Sequence, residues 1–141
     1  MRADYGARAM IDLAQHYGQG LIQSGTIATR QQIPESYLER LLTSLRRAGL
    51  IRSVRGPSGG HELARQPATI NLDQVWDAIE GSQTLGTCLD DEGSCTVSTA
   101  CVLQDVWRDL EENTHRTLRG FTLDLLAERQ GQRETRSMYH I

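Results

Sequence analysis

The chain of 141 residues carries a net charge of −3, and its length suits one compact domain with one or two appended elements. It contains no run of 18 apolar residues and no signal-peptide layout, which argues against a membrane protein and predicts a cytoplasmic one. The charge is uneven, because residues 1–70 carry nine arginines against five acidic residues whereas residues 71–141 carry six against thirteen. We therefore expect the two halves to have different functions.

The N-terminal third predicts three helices, of which the last two form a helix-turn-helix. Apolar residues follow a helical period over residues 5–17. A short helix over residues 27–32 leads through a turn at Pro34 into a longer helix over residues 35–48, and Gly49 suits the C-terminal cap of that helix. Two helices joined by a tight turn are typical of DNA-binding proteins.

The segment LIRSVRGPSGGHEL, residues 50–63, alternates apolar and polar residues around a glycine-rich turn and predicts a β-hairpin. A hairpin in this place is a wing, and Arg55 beside its tip is suited to entering a DNA groove. Asn71 then caps a helix that ends at Gly81. The side chains that this helix is expected to bury are Leu72, Val75, Trp76 and Ile79.

Residues 102–128 predict a single long helix whose apolar residues recur at steps of three and four. A helix of this length in so short a chain usually packs against a second copy, which predicts a homodimer. The predicted fold class is mainly α with a small β-hairpin wing. Its parts are a winged helix-turn-helix domain (1–81), a cysteine-containing loop (82–101), a dimerisation helix (102–130) and a mobile polar tail (131–141).

The arginines of the N-terminal half concentrate on the helix-turn-helix and the wing. Such residues contact phosphate and supply most of the affinity for DNA, although any single one can be an ordinary solvated charge. The set, on this scaffold, predicts binding to double-stranded DNA. Its members are Arg30, Arg40, Arg46, Arg47, Arg52, Arg55 and Arg65.

The recognition helix is predicted to be PESYLERLLTSLRR, because its N-terminal residues would enter the major groove. Those residues are Glu35, Ser36, Tyr37 and Glu39. Glu39 could accept a hydrogen bond from a cytosine amino group, or it could form an intrahelical ion pair with an arginine.

The three cysteines, Cys88, Cys95 and Cys101, are spaced Cys-x6-Cys-x5-Cys. Structural zinc sites favour shorter gaps, whereas three thiolates and one further ligand suit an iron-sulfur cluster, either 4Fe-4S or 2Fe-2S. The alternatives are a zinc site and three unmetallated, redox-active thiols. An odd cysteine count argues against a disulfide framework.

The residues themselves leave the fourth ligand open. Candidates within the cysteine segment are Asp90, Asp91 and Glu92. The four histidines are isolated in sequence, which is more typical of surface or hydrogen-bonded side chains than of ligands. They are His16, His61, His115 and His140.

The order of these elements resembles the Rrf-type family of bacterial winged-helix regulators that includes IscR and NsrR. The resemblance covers residues 1–128, and the pairing of SYLE with VRGPSGG is specific to it. It implies a homodimer that binds pseudo-palindromic operators, as a repressor, with an affinity that changes with the state of an iron-sulfur cluster. By position, Ser36, Glu39 and Arg55 match the base-contacting residues of the family, with Arg55 facing the minor groove.

The resemblance also implies a ligand set. Cys88, Cys95 and Cys101 match the three cluster cysteines of the family. IscR-like members have a histidine three residues after the last cysteine, where this chain has Gln104. NsrR-like members instead use an aspartate in the first helix of the partner subunit, and Asp4 occupies that position. A carboxylate there also suits the helix dipole.

An enzyme is the competing class of function. The sequence offers no Cys-x2-Cys redox pair, radical iron-sulfur motif or Ser-His-Asp set. We therefore predict a regulator that is not an enzyme and that senses iron, redox state or nitric oxide through its cluster. The alternative is a cluster-free family member that uses its cysteines for thiol or zinc chemistry.

Overall fold

The structure is a computed structural model and describes residues 2–81 and 101–139. In these two ranges the chain forms six α-helices, a short 3-10 helix (Pro67–Thr69) and one two-stranded antiparallel sheet. The elements are α1 (Arg2–Gln15), α2 (Ser24–Gln31), α3 (Glu35–Arg47), β1 (Ile51–Val54), β2 (Gly60–Leu63), α4 (Leu72–Glu80), α5 (Val102–Arg119) and α6 (Leu123–Met138). The predicted fold class, mainly α with a small β-hairpin wing on a winged helix-turn-helix, is confirmed.

The helix-turn-helix packs through the apolar stripe of α3. Its leucines at steps of three and four are buried against α1 and α2. Between α2 and α3, Gln32 adopts a left-handed conformation with φ of 54°, and its backbone N–H donates to the carbonyl oxygen of Ala28 within α2. Gln32 ends α2, and Pro34 is the residue immediately before α3.

The hairpin β1–β2 pairs Ile51 with Leu63 and Val54 with Gly60. Its inner residues Ile51 and Leu63 face the core. The wing is also tied to the segment before α2, because Ile22 and His61 exchange two backbone hydrogen bonds of 2.9 and 2.8 Å. These bonds hold the wing beside the helix-turn-helix.

Helix α4 begins and ends where the sequence predicts. The Asn71 side chain accepts from the backbone of Gln74, whose own side chain accepts from the Asn71 amide, and Gly81 follows the last turn. Val75 and Ile79 are buried and Leu72 is half-buried. The prediction that Trp76 is buried is wrong, because this residue is 38% exposed. Trp76 lies between Val75 and Ile79, the two buried residues of α4, and turns away from the core.

The prediction of one long helix over residues 102–128 is wrong. Helix α5 ends at Arg119, and the chain at residues 120–122 pairs with the segment before α4. There Leu72 donates to Phe121 (3.0 Å) and Leu123 donates to Ile70 (2.9 Å). These backbone bonds replace the helical ones, so α6 starts in a new direction.

The sequence predicts a polar tail without periodicity, and in the structure residues 131–138 of that tail continue α6. Helix α6 packs along α1, and its first residue Leu123 is completely buried in the common core. Leu126 and Ala127 pack against the same core. No helix within residues 2–81 and 101–139 is long and apolar enough to cross a membrane.

Candidate nucleic-acid interface and cysteine site

The surface formed by the start of α3 and the wing is polar and open to solvent. Ser36, Glu39 and Arg40 are exposed on α3, and Arg55 is exposed immediately after β1. The C-terminal arginines of α3, Arg46 and Arg47, are exposed as well. Most of the residues that the sequence predicts to contact DNA therefore lie on solvent-accessible parts of α3 and the wing.

Glu39 does not form the intrahelical arginine pair considered from the sequence. Its carboxylate instead accepts a hydrogen bond of 2.6 Å from the hydroxyl of Ser24, the first residue of α2. Ser24 thus orients the side chain that the sequence places opposite a base. Sequence reasoning missed this residue, because the contact joins two helices 15 positions apart.

Gln23 connects the helix-turn-helix to the wing tip. Its side-chain amide donates to the backbone oxygen of Pro57 (3.1 Å). A polar groove of about 430 Å³ lies beside this contact, lined by residues of the connection between α1 and α2, by α2 and by residues 57–59 of the wing. The wing tip is thereby held against the start of α2.

Arg30 occupies a different environment from the other predicted DNA contacts. Its guanidinium donates to both carboxylate oxygens of Asp12 at 3.0 and 2.6 Å, and Asp12 is 1% exposed. Gln31 donates to the same carboxylate at 3.0 Å. Arg30 therefore neutralises a buried charge of α1, which the sequence did not reveal.

Tyr37 is half-buried, unlike its neighbours on α3. Its ring contacts the ring of Tyr5 on α1 edge to face, with centroids 5.6 Å apart and an interplanar angle of 79°. Such a contact fixes the ring of Tyr37 against α1. Only its outer part can reach a ligand on the α3 surface.

His61 lies on β2 of the wing. Burial lowers its pKa from the ordinary value of 6.5, Glu39 acts in the opposite direction, and Arg46 lowers it further. Its Nδ1 lies 2.7 Å from the hydroxyl of Ser53 on the paired strand. The imidazole is therefore neutral near pH 7 and adds no charge to the base of the wing.

Of the predicted cluster ligands, Cys101 and Asp4 lie in the described residues, whereas Cys88 and Cys95 lie outside them. Cys101 is half-buried and is the residue immediately before α5. Asp4 lies in the first turn of α1, where its side chain is 59% exposed and 3.5 Å from the guanidinium of Arg8.

Comparisons with known proteins agree with this architecture. The Rrf2 family, described as "Iron-dependent Transcriptional regulator", matches residues 1–129. The chain is 41% identical over 124 residues to a putative HTH-type transcriptional regulator of Azotobacter vinelandii, covering 87% of this chain and 75% of that protein. It is 38% identical over 129 residues to the HTH-type transcriptional regulator IscR of Aliivibrio salmonicida, covering 91% and 76%.

Solved structures show the same similarity. T. potens IscR superposes with a TM-score of 0.71 at 37% identity, covering 89% of this chain and 83% of that one. The oxidized form of Staphylococcus aureus CymR superposes with a TM-score of 0.68 at 32% identity, covering 89% and 92%. CymR of B. subtilis, described as the global cysteine regulator, superposes with a TM-score of 0.67 at 28% identity, covering 89% of this chain and 92% of that one.

Proposed function

Because the chain belongs to the Rrf2 family of transcriptional regulators, and is therefore a DNA-binding regulator of the IscR type rather than an enzyme, we propose that an iron-sulfur cluster controls its operator affinity. The observation that carries this proposal is the position of Cys101 at the start of α5, at the end of a segment that contains the other two cysteines. Three thiolates in one segment form a donor set that selects iron-sulfur clusters.

The proposed operator contacts are Ser36, Glu39 and Arg55 at base edges, with Arg40, Arg46 and Arg47 at phosphates. The exposure of these six side chains supports the assignment. Tyr37 is a secondary candidate, since Tyr5 already holds its ring, whereas Arg30 has a structural role because it is paired with Asp12. Ser24 supports Glu39 by fixing its carboxylate.

The proposed assembly is a homodimer formed through α5. This helix has no fully buried residue within the described chain, and its apolar residues Leu103, Val106 and Leu110 are each nearly half exposed. They recur at steps of three and four and so form one apolar stripe. A second copy of α5 would cover that stripe.

The proposed cluster ligands are Cys88, Cys95 and Cys101 of one subunit and Asp4 of the other. The cluster, when bound, supplies iron that reacts with oxidants or nitric oxide. Asp4 fits the ligand role because its carboxylate is exposed and accessible to a second subunit. Its helix, α1, also packs against α3. Binding would replace its contact with Arg8 and connect the cysteine segment of one subunit to the DNA-reading helix of the other.

The deciding experiment is the analysis of iron, acid-labile sulfide and visible absorbance in protein purified without oxygen. Comparable amounts of iron and sulfide with a sulfur-to-iron charge-transfer band are expected, and Cys101→Ala should abolish them. Asp4→Ala should alter the absorbance and uncouple DNA binding from the cluster state, whereas Asp124→Ala, an exposed aspartate in the first turn of α6, serves as the matched control. Protein that resists reconstitution would contradict the cluster.

A second candidate function is thiol-based sensing without a cluster. The similarity to CymR, of which one solved structure is an oxidized form, supports thiol-based sensing. In that case oxidation of the cysteines by peroxide would change operator affinity in iron-free protein. Substituting the cysteines by serine would remove the response, while leaving the DNA surface of α3 unchanged.

A further inference from the structure

A cluster of metal-ligating side chains joins α4 to α5, apart from the DNA surface and the cysteines. His115 of α5 donates from Nδ1 to Asp73 of α4 over 2.5 Å. One donor atom from each of Asp73, Asp77 and His115 lies within 4.8 Å of the others. The cluster thus combines one imidazole nitrogen with two carboxylates on two different helices.

We propose that Asp73, Asp77 and His115 bind a divalent cation of the first transition row. Donors around such an ion lie about 2.0–2.2 Å from it, so two of them on opposite sides are about 4.2 Å apart. The widest pair of donor atoms therefore needs to close by less than about 1 Å, whereas Nδ1 of His115 and the Asp73 oxygen, 2.5 Å apart, need to move apart slightly as the ion displaces the proton between them. A mixed nitrogen and oxygen set suits Mn²⁺, Fe²⁺ or Zn²⁺, with water completing the coordination.

The surroundings of the cluster support a cation. Glu111 places a further carboxylate 3.9 Å from Nε2 of His115, so three carboxylates surround the imidazole. The only arginine paired with them in the described residues, Arg119, lies 3.7 Å from the second oxygen of Asp73. Arg119 leaves Oδ1 of Asp73 available to the cluster. It also orients the Asp73 carboxylate, as residues that contact metal ligands from outside the coordination sphere do.

The cluster is accessible and its frame is ordered by the fold. The Asp73 side chain is 14% exposed and that of His115 is 30% exposed, while Asp77 lies at the surface. Asp73 is in the first turn of α4, which the capping box of Asn71 fixes. An ion can therefore reach two carboxylates that are already positioned on one face of α4.

The site would link the two ends of the cysteine segment. Helix α4 ends at Glu80 and α5 begins at Val102, so an ion bound by both helices ties together the elements on either side of residues 82–100. This inference goes beyond the proposed function and does not rest on it. The chain would then bind a metal ion beside the segment that is proposed to hold the iron-sulfur cluster.

The test uses Mn²⁺, because carboxylates and imidazole bind this ion whereas soft thiolates prefer other metals. The full chain, treated with chelator and dialysed, is titrated with Mn²⁺, and the six-line electron paramagnetic resonance signal of the free ion is measured. Loss of that signal for one Mn²⁺ per chain is expected. An undiminished signal would overturn the proposal.

Asp77→Asn is the deciding variant, because Asp77 lies at the surface and its replacement preserves side-chain shape. It should weaken Mn²⁺ binding at least tenfold, and His115→Gln should do the same. Glu112→Gln, an exposed acid next to Glu111 on α5, is the matched control and should bind as the unmodified chain does. Equal affinity in Asp77→Asn, or an equal loss in Glu112→Gln, would show only a diffuse attraction and refute the site.

Discussion

The ion pair between Asp12 and Arg30 predicts an asymmetric loss of stability when either partner is removed. Breaking a buried pair from one side costs about 3–5 kcal/mol, because the remaining charge is left without its partner. In Arg30→Ala that charge is the carboxylate of Asp12, which is 1% exposed and would retain only the Gln31 amide as a strong donor. In Asp12→Ala it is the guanidinium of Arg30, which is 36% exposed and can be hydrated.

We therefore expect Arg30→Ala to lower the free energy of unfolding by about 3 kcal/mol and Asp12→Ala by about 2 kcal/mol, taking the low end because the arginine is partly solvated. The measurement is urea unfolding at one fixed protein concentration, since the proposed homodimer would make apparent stability concentration-dependent. With a slope of about 1–3 kcal/mol per molar urea, a loss of about 3 kcal/mol moves the midpoint by roughly 1–3 M.

DNA binding separates this structural role from a phosphate contact. At a temperature where the variants are folded, the slope of log affinity against log salt concentration should be unchanged in Arg30→Ala. In Arg47→Ala, which removes an exposed arginine of α3 from each subunit, the magnitude of this slope should fall by about 0.9 for each bound subunit, and so by about 1.8 for the proposed homodimer. If Arg30→Ala kept its urea midpoint but lost salt dependence, the structural role argued for Arg30 would be refuted.

Three further predictions concern local contacts. The hydrogen bond that His115 donates to Asp73 raises the pKa of His115 above 6.5, so its stabilisation is complete below about pH 6.5 and is lost as pH rises through the folded-state pKa. In chelator, His115→Gln should therefore destabilise the protein more at pH 5.5 than at pH 9, and an equal loss at both would contradict this. Asn71→Ala removes the capping box of α4 and should cost about 1 kcal/mol in urea unfolding, with no loss showing the cap to be unimportant. Gly60→Ala would place a Cβ 2.7 Å from the backbone of Ile22, so the wing should be displaced and operator affinity should fall in a gel-shift titration, whereas unchanged affinity would show that the wing does not need this close approach.

Local patterns were sufficient to predict the helix-turn-helix and the wing. The leucine period of α3, Pro34 and the Asn71 cap each act within a few residues, and the structure confirms all three. The break after α5 was missed because an apolar period continued across it. Thr122 and Asp124 do carry the signature of a helix start, and the Thr122 hydroxyl does donate to Asp124.

The site was harder to predict where its contacts join distant parts of the chain. Arginine identity alone could not separate Arg30, bound to an aspartate on another helix, from Arg47, which is exposed. The hydroxyl that orients Glu39 and the helix pairing that brings His115 to Asp73 also depend on tertiary packing. The roles of Cys88, Cys95 and Asp4 stay predictions.

The burial of Leu123 has a consequence for the synthesis of the protein. This side chain completes the core to which Leu13 of α1 and Val75 of α4 also belong, and a core that lacks a buried leucine is destabilised by several kcal/mol. A nascent chain whose α6 is still inside the ribosome therefore already has all of its predicted DNA-contacting residues. Its core, however, still lacks Leu123. Incomplete copies of the regulator are thus expected to leave operators vacant, so that only finished chains compete for promoters.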